Sequence, residues 1–220
     1  MPSSRIDLPR IESKALAGNP LGDPHVRTLP VYLPPGYEES QARYPVVFLL
    51  AGYSGKGANL LNESAWEETI QQRMDRLIQE GRCRPMLLVL PDCFTRYGGS
   101  QYLNSTATGN YADYLLELVA EMDRRYRTMP HREFRAIAGI SSGGYGALSM
   151  GLRHPGTFAY VADHSGDKYF ELCYKPDFPK FVRGLARYRD LAEFLAAPHL
   201  IRPRGGDFFP TISIAAMAAC

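Results

Sequence analysis

One short segment of the chain carries a serine whose surroundings could make it a nucleophile. The pattern Gly-x-Ser-x-Gly runs from Gly139 to Gly143, with Ser141 at its centre, and lies between a predicted strand and a predicted helix. Glycines on both sides allow a tight strand-to-helix turn, which would present the Ser141 hydroxyl above a sheet at the positive end of the helix. We therefore predict that Ser141 is a catalytic nucleophile, with a plain glycine turn as the alternative.

A serine nucleophile needs hydrogen-bond donors for the negative charge that develops on the carbonyl oxygen it attacks. The backbone amide of Ser142, directly after the nucleophile, is one candidate donor. The glycine-rich loop after the apolar run 46–50 supplies the second, for which we choose the amide of Tyr53, with Gly52 beside it as a substrate-lining residue. Because this loop lacks the glycine spacing of phosphate-binding motifs, we do not expect it to bind phosphate.

The acid and base that would serve Ser141 are not marked by a motif, and three residues are candidates. His164 and Asp167 follow the predicted strand 158–163, at the edge where open α/β sheets bind ligands. His199 follows a predicted helix at 191–197 and could act as a mobile general base. The alternative for His164 and Asp167 is a structural turn near the pocket.

Tyr97 and Tyr102 are candidate substrate-lining residues, because their polar and aromatic loop follows the predicted strand 86–90 on the same side of the sheet. No cluster of His, Cys, Asp or Glu has the spacing of a metal site. We therefore expect neither a metal nor another cofactor.

These residues can meet only if several strands end at one edge of a sheet, and the chain predicts such a sheet. Short β-rich apolar runs alternate with longer amphipathic runs, which is typical of an α/β fold with a mostly parallel sheet and helices on both faces. We expect a single domain over residues 1–220, with an N-terminal extension at 1–26 and a cap-like helical segment and tail at 167–220.

Three finer expectations concern the start of a helix, a tryptophan and the tail. Ser64 opens a capping-box pattern and predicts that the first long helix starts there. Trp66, near the start of this helix, is expected in the core. The tail contains one weak strand pattern, at 211–214.

Composition excludes several classes of function. The 220 residues carry 25 Lys and Arg against 23 Asp and Glu, a net charge of +2 with interspersed signs, so no nucleic-acid surface is expected. The apolar runs are too short to span a membrane, and the N-terminus lacks the apolar region of a secretory signal. Four cysteines without paired spacing favour a reducing, cytoplasmic setting, with a processed secreted form as the alternative.

Four ordered motifs resemble the putative-esterase family of α/β-hydrolases, which includes S-formylglutathione hydrolases, enterochelin esterases and feruloyl esterases. The motifs are VYLPPGY at 31–37, PVVFLLAG at 45–52, LPD at 90–92 and the glycine-rich segment 139–148. The resemblance covers about residues 27–166 and implies a serine hydrolase of small carboxylic esters. It also implies Ser141 as nucleophile and the amides of Tyr53 and Ser142 as the oxyanion hole. Many relatives have histidine where this chain has Ala51.

The chain resembles this family with one serious departure, which lies after Ser141. The α/β-hydrolase triad runs serine, acid, histidine, with the last two on loops after later strands. We expect this chain to be shortened there and to lack the usual last strands, so activity would be weak or would use a non-standard base. The alternative is a non-catalytic binding or assembly domain. The strand at 158–163 would then be an open edge, which predicts a homo-oligomer or cover by the tail.

Overall fold

The computed structural model describes residues 3–196 and 206–218, so the candidate base His199 lies outside the described residues. Within these ranges, no helix is long and apolar enough to cross a membrane. The strands are β1 (Arg5–Asp7), β2 (Arg10–Glu12), β3 (Val26–Thr28), β4 (Val31–Leu33), β5 (Val46–Leu50), β6 (Leu87–Val89), β7 (Phe94–Thr95), β8 (Gly98–Gly99), β9 (Asn104–Ser105), β10 (Gly109–Asn110), β11 (Arg135–Ile140) and β12 (Tyr160–His164). The α-helices are α1 (Ile70–Gln79), α2 (Tyr111–Arg125), α3 (Ser142–Arg153), α4 (Phe170–Cys173), α5 (Phe178–Leu185), α6 (Leu191–Ala196) and α7 (Phe208–Ala218).

Six of the strands form one central sheet in the order β1-β4-β6-β5-β11-β12. Strands β6, β5, β11 and β12 run parallel, whereas β4 is antiparallel to both β6 and β1. The mostly parallel α/β sheet that the sequence predicts is therefore confirmed. The segment 1–26, predicted as an N-terminal extension, is part of this fold, because it supplies the edge strand β1 and pairs β2 with β3.

Helices cover both faces of the sheet, as predicted. On one face, α2 and α3 pack on buried side chains of β5 and β11, among them Phe48, Leu50 and Ile137. On the other face, α1 packs through Met74 against Leu88 of β6. Because successive strand residues point to opposite faces, the continuous apolar run of β5 serves both layers at once.

Helix α1 begins later than the sequence predicts. Its N-cap is Thr69, whose hydroxyl accepts a hydrogen bond from the Gln72 amide at 3.2 Å, while Gln72 Oε1 accepts one from the Thr69 amide at 2.9 Å. The start at Ser64 is therefore wrong, and Trp66, expected in the core, is 94% exposed. Both sites carry a capping pattern, and the helix uses the one next to its apolar stripe.

The residues after β12 form a second cluster of helices. Phe194 of α6 and Ile212 of α7 are buried in this cluster, together with the partly buried Phe181 of α5. The strand predicted at 211–214 is wrong, because these residues lie inside α7, which packs on α5 and β8. No described strand pairs with the outer side of β12, so β12 is an edge of the described sheet, and its cover by the tail stays a prediction.

Candidate active site

Ser141 occupies a strained backbone position between β11 and α3. Its φ of 55° and ψ of −124° lie in a region that residues with a β-carbon rarely adopt. A Cβ on Gly139 would lie 2.2 Å from the carbonyl oxygen of Gly143, and a Cβ on Gly143 would lie 2.3 Å from that of Leu50. Steric contacts therefore require glycine at both positions of the motif. The turn places Ser141 at the carboxyl ends of the parallel strands.

Neighbouring backbone segments hold the turn from two sides. The Ser141 amide donates a hydrogen bond to the carbonyl oxygen of His164 at 3.0 Å, which ties the turn to the end of β12. On the other side, the loop after β5 passes so close that a Cβ on Gly52 would lie 3.7 Å from Ser141 Cβ. The loop and Ser141 thus border the same space.

The two backbone amides predicted as oxyanion donors belong to the segments that border this space. Ser142 is the first residue of α3, where an amide has no acceptor within the helix and the helix dipole adds positive charge. Tyr53 follows Gly52, and its hydroxyl donates a hydrogen bond to the carbonyl oxygen of Tyr97, which anchors the loop. Such a pair of amides could stabilise a developing negative oxygen.

Tyr97, through its carbonyl oxygen, and Tyr102, through its hydroxyl, hydrogen bond to the loop after β5. Tyr102 is 4% exposed, and its hydroxyl donates to the carbonyl oxygen of Ala51 at 2.6 Å. Burial raises the pKa of Tyr102 well above its ordinary value, so the hydroxyl remains a donor. Tyr97 is partly buried against the cluster of helices that follows β12. The position of Tyr102 contradicts its prediction as a substrate-lining residue, because a side chain held in the core presents little surface to a ligand.

Asp167 is the candidate acid or base that the structure brings to Ser141. Ser141 Oγ donates to Asp167 Oδ1 at 3.4 Å, and within the described residues this is its one hydrogen bond. The Tyr174 hydroxyl donates to Asp167 Oδ2 at 2.5 Å, and Gln101 Nε2 donates to the Tyr174 oxygen at 3.3 Å. Gln101 Oε1 accepts a bond from Ser142 Oγ at 2.8 Å. These five side chains form a network that starts and ends at adjacent serines, and we call it the Ser141 network.

The side chain of His164 lies on the other face of the sheet. His164 is the last residue of β12 and pairs in register with Ile140 of β11, so both side chains share a face. That face is opposite the one on which Gly139 meets α3, and there His164 lines a cavity of about 340 Å³ with Ile140 and Gly52. Among the described residues, no imidazole hydrogen bonds to Ser141, which differs from the role predicted for His164.

In the part of the chain that the structure describes, no Lys or Arg side chain pairs with the Asp167 carboxylate. Lys168, the nearest basic residue in sequence, pairs with Asp163 instead. Burial and the bond to Asp167 raise the pKa of Tyr174 above its ordinary value, so Tyr174 remains a hydrogen-bond donor at neutral pH. Over the same described ranges, no three His, Cys, Asp or Glu side chains converge as a metal site requires.

Sequence reasoning missed Gln101 and Tyr174. Gln101 lies in the polar loop that the sequence marked as a neighbour of the site, but no motif singles it out. Its φ of 53°, unusual for a residue other than glycine, appears only in three dimensions. Tyr174 follows Asp167 by seven residues across the short helix α4, and this spacing is not a known signature.

The strand order, the turn at Ser141 and the loop after β5 define an α/β-hydrolase-type fold. The solved structure of a ferulic acid esterase matches with a TM-score of 0.61 and 27% sequence identity, over 74% of this chain and 59% of that chain. The S-formylglutathione hydrolase of Staphylococcus aureus shares the fold, with a TM-score of 0.57 and 18% identity over 98% of this chain and 74% of that chain.

A model of the family described as putative esterase matches residues 24–171, and the chain belongs to this family. An endo-1,4-beta-xylanase/feruloyl esterase of Xylanibacter ruminicola is 30% identical over 66% of this chain and 20% of its own length. An esterase of Mycobacterium tuberculosis is 27% identical over 71% of this chain and 31% of its own length. The chain thus spans less than a third of the curated relatives that it matches.

Proposed function

We propose that this chain is a serine hydrolase of carboxylic esters that works through an acyl-enzyme on Ser141. The observation that carries the proposal is the strained Ser141 backbone, held by two glycines at the carboxyl ends of parallel strands. Family membership supports it, and so do the names of the two curated relatives given above, which are an endo-1,4-beta-xylanase/feruloyl esterase and an esterase. A strain of this kind persists only where the surrounding structure enforces it, and it is common at active sites.

The reaction would proceed in two steps. Ser141 Oγ would attack the ester carbonyl while its proton passes to a base, and the amides of Tyr53 and Ser142 would bind the oxyanion. Expulsion of the alcohol, which takes up that proton, would leave an acyl group on Ser141. Water would then attack this acyl-enzyme to release the acid and restore the serine.

The activated ester p-nitrophenyl acetate tests this proposal, with Ser141→Ala as the decisive variant. We expect wild-type protein to release a burst of p-nitrophenolate, followed by slower turnover. Ser141→Ala should lose the burst and at least about 100-fold in rate, because the acyl-enzyme cannot form. Ser64→Ala removes an exposed hydroxyl outside the site and should behave as wild type.

One observation favours a second function, that of a non-catalytic binding domain. No described imidazole reaches Ser141, whereas histidine is the most common base for a serine nucleophile. The same assay separates the two functions. Equal rates for wild type and Ser141→Ala would exclude the hydrolase and leave the binding domain.

A further inference from the structure

We infer that Gln101 and Tyr174 are positioning residues that hold the Asp167 carboxylate against Ser141, so that Asp167 can take the Ser141 proton. This inference rests on the proposed ester hydrolysis and names the base within this chain. It concerns the Ser141 network, in which four hydrogen bonds link Ser141 and Asp167 to Ser142.

The hydrogen bonds of the network all point towards Asp167. Ser141 Oγ and the Tyr174 hydroxyl both donate to Asp167, one to each carboxylate oxygen. The Tyr174 oxygen then accepts from the amide nitrogen of Gln101, whose amide oxygen accepts from Ser142. Each donor has one acceptor, and the two carboxylate oxygens of Asp167 accept the bonds that arrive from Ser141 and from Tyr174. Gln101 suits its place because an amide donates at one atom and accepts at the other.

The surroundings of the network keep its geometry in place. Gln101 is 7% exposed, and its backbone and that of Tyr102 are both left-handed, with φ of 53° and 58°. Two successive non-glycine residues in this conformation are strained, and their contacts must compensate. The Tyr102 hydroxyl supplies one compensation by its bond to Ala51, and Ser142 supplies another by its bond to Gln101.

No cation of the described residues competes with Ser141 for the Asp167 carboxylate. A carboxylate paired with Lys or Arg is a weaker base, because the cation stabilises its ionised form. In the described ranges no Lys or Arg pairs with Asp167, and the tyrosine bond orients it without adding charge. The Ser141 contact of 3.4 Å is long for a hydrogen bond, as catalytic contacts often are before substrate binds.

The proton balance of the step is simple. As Ser141 Oγ bonds to the acyl carbon, its proton moves to Asp167 Oδ1. The bond between the acyl carbon and the alcohol oxygen then breaks, and Asp167 returns that proton to the leaving oxygen. In deacylation, water gives a proton to Asp167 while its oxygen bonds to the acyl carbon, and the proton passes to Ser141 as the acid leaves.

Steady-state kinetics with p-nitrophenyl acetate and three variants test this inference. Asp167→Asn should lower kcat by about 100-fold or more, because an amide cannot take the proton. Tyr174→Phe should lower kcat about tenfold with KM changed by less than about twofold, since it removes one hydrogen bond to a charged group and little volume. Tyr160→Phe is the matched control, because it removes the hydroxyl of an exposed tyrosine in β12 and should leave both constants within about twofold.

A second network variant covers the case that Tyr174→Phe does not fold. Gln101→Asn suits the left-handed backbone but is one methylene too short to reach both Ser142 and Tyr174, so kcat should fall by about threefold to tenfold. Thermal unfolding of each variant shows whether the fold is kept.

The outcomes distinguish this inference from the proposed function. A rate that depends on Ser141 but is unchanged in Asp167→Asn, Tyr174→Phe and Gln101→Asn would overturn the inference alone. A loss in Asp167→Asn without any loss in the other two would overturn the positioning roles. A rate that is the same in Ser141→Ala would overturn the proposed function and, with it, this assignment.

Discussion

The residue types allowed at the Ser141 turn are restricted by the atoms around them. Gly139 and Gly143 have backbone carbonyl groups where a side chain would begin, at 2.2 Å and 2.3 Å from an added Cβ. Gly146 faces the Tyr102 ring, where an added Cβ would lie 2.4 Å from an aromatic carbon. A methyl group cannot be accommodated at the first two positions by a side-chain rotation, because the obstacle is backbone.

Gly143→Ala should therefore destabilise the fold and misplace Ser141. We expect a loss of about 2 to 3 kcal/mol in the free energy of unfolding, measured in urea, and a large loss of the Ser141-dependent burst. Gly156→Ala is the matched control, since an added Cβ there meets no atom within 4 Å, and it should change stability by less than about 0.5 kcal/mol. Equal stability of the two variants would show that the turn can relax around a methyl group.

Among the elements, helices α1 and α3 differ in whether a side chain caps their N-terminal amides. Helix α1 starts at a reciprocal pair of hydrogen bonds between Thr69 and Gln72. Helix α3 has no side-chain cap at Ser141, so its first amides remain directed towards the candidate active site. The same structural position, a helix N-terminus, is capped by a side chain in α1 and has no side-chain cap in α3.

Thr69→Ala should lower the free energy of unfolding by about 1 kcal/mol, because it removes the acceptor for the Gln72 amide. Ser64→Ala changes the residue that the sequence favoured as the cap, yet it should be within about 0.5 kcal/mol of wild type. Urea unfolding of both variants gives the comparison. A larger effect from Ser64→Ala than from Thr69→Ala would place the helix start where the sequence pattern predicts it.

At the scale of the whole molecule, the described sheet has an edge at β12 that no other described strand pairs with. Tyr160 and Val161 of this strand are 62% and 42% exposed. Unpaired backbone groups on an exposed, partly apolar strand favour association with another strand. The homo-oligomer expected from the sequence stays a prediction, and this edge is where we expect the contact.

Ala162→Lys should weaken that association, because a charged side chain on an edge strand opposes pairing with another chain. We expect light scattering at micromolar concentration to show an oligomer for wild type and a smaller species for Ala162→Lys. Ala120→Lys, at an exposed position of α2, is the control and should leave the mass unchanged. A monomeric wild type would contradict the prediction.

The layers of the fold and the tight turn at Ser141 can be predicted from the sequence because their signals are local. The apolar run of β5 and the amphipathic helices follow from periodicity, and the turn around Ser141 follows from two glycines two residues away. The sequence predicts the start of α1 at the wrong residue because two capping patterns lie five residues apart. The strand predicted at 211–214 is wrong because a run of four buried residues is compatible with a strand and also with an enclosed helix.

The α/β class, the turn at Ser141 and the family resemblance can be read from the sequence alone, since each depends on residues close together in the chain. Which of the described candidates lies next to Ser141 follows from packing between distant segments. Strand register turns His164 to the opposite face, whereas the fold after β12 brings Asp167 to Ser141. Gln101 and Tyr174, 73 residues apart, meet only through that packing, which no local pattern encodes.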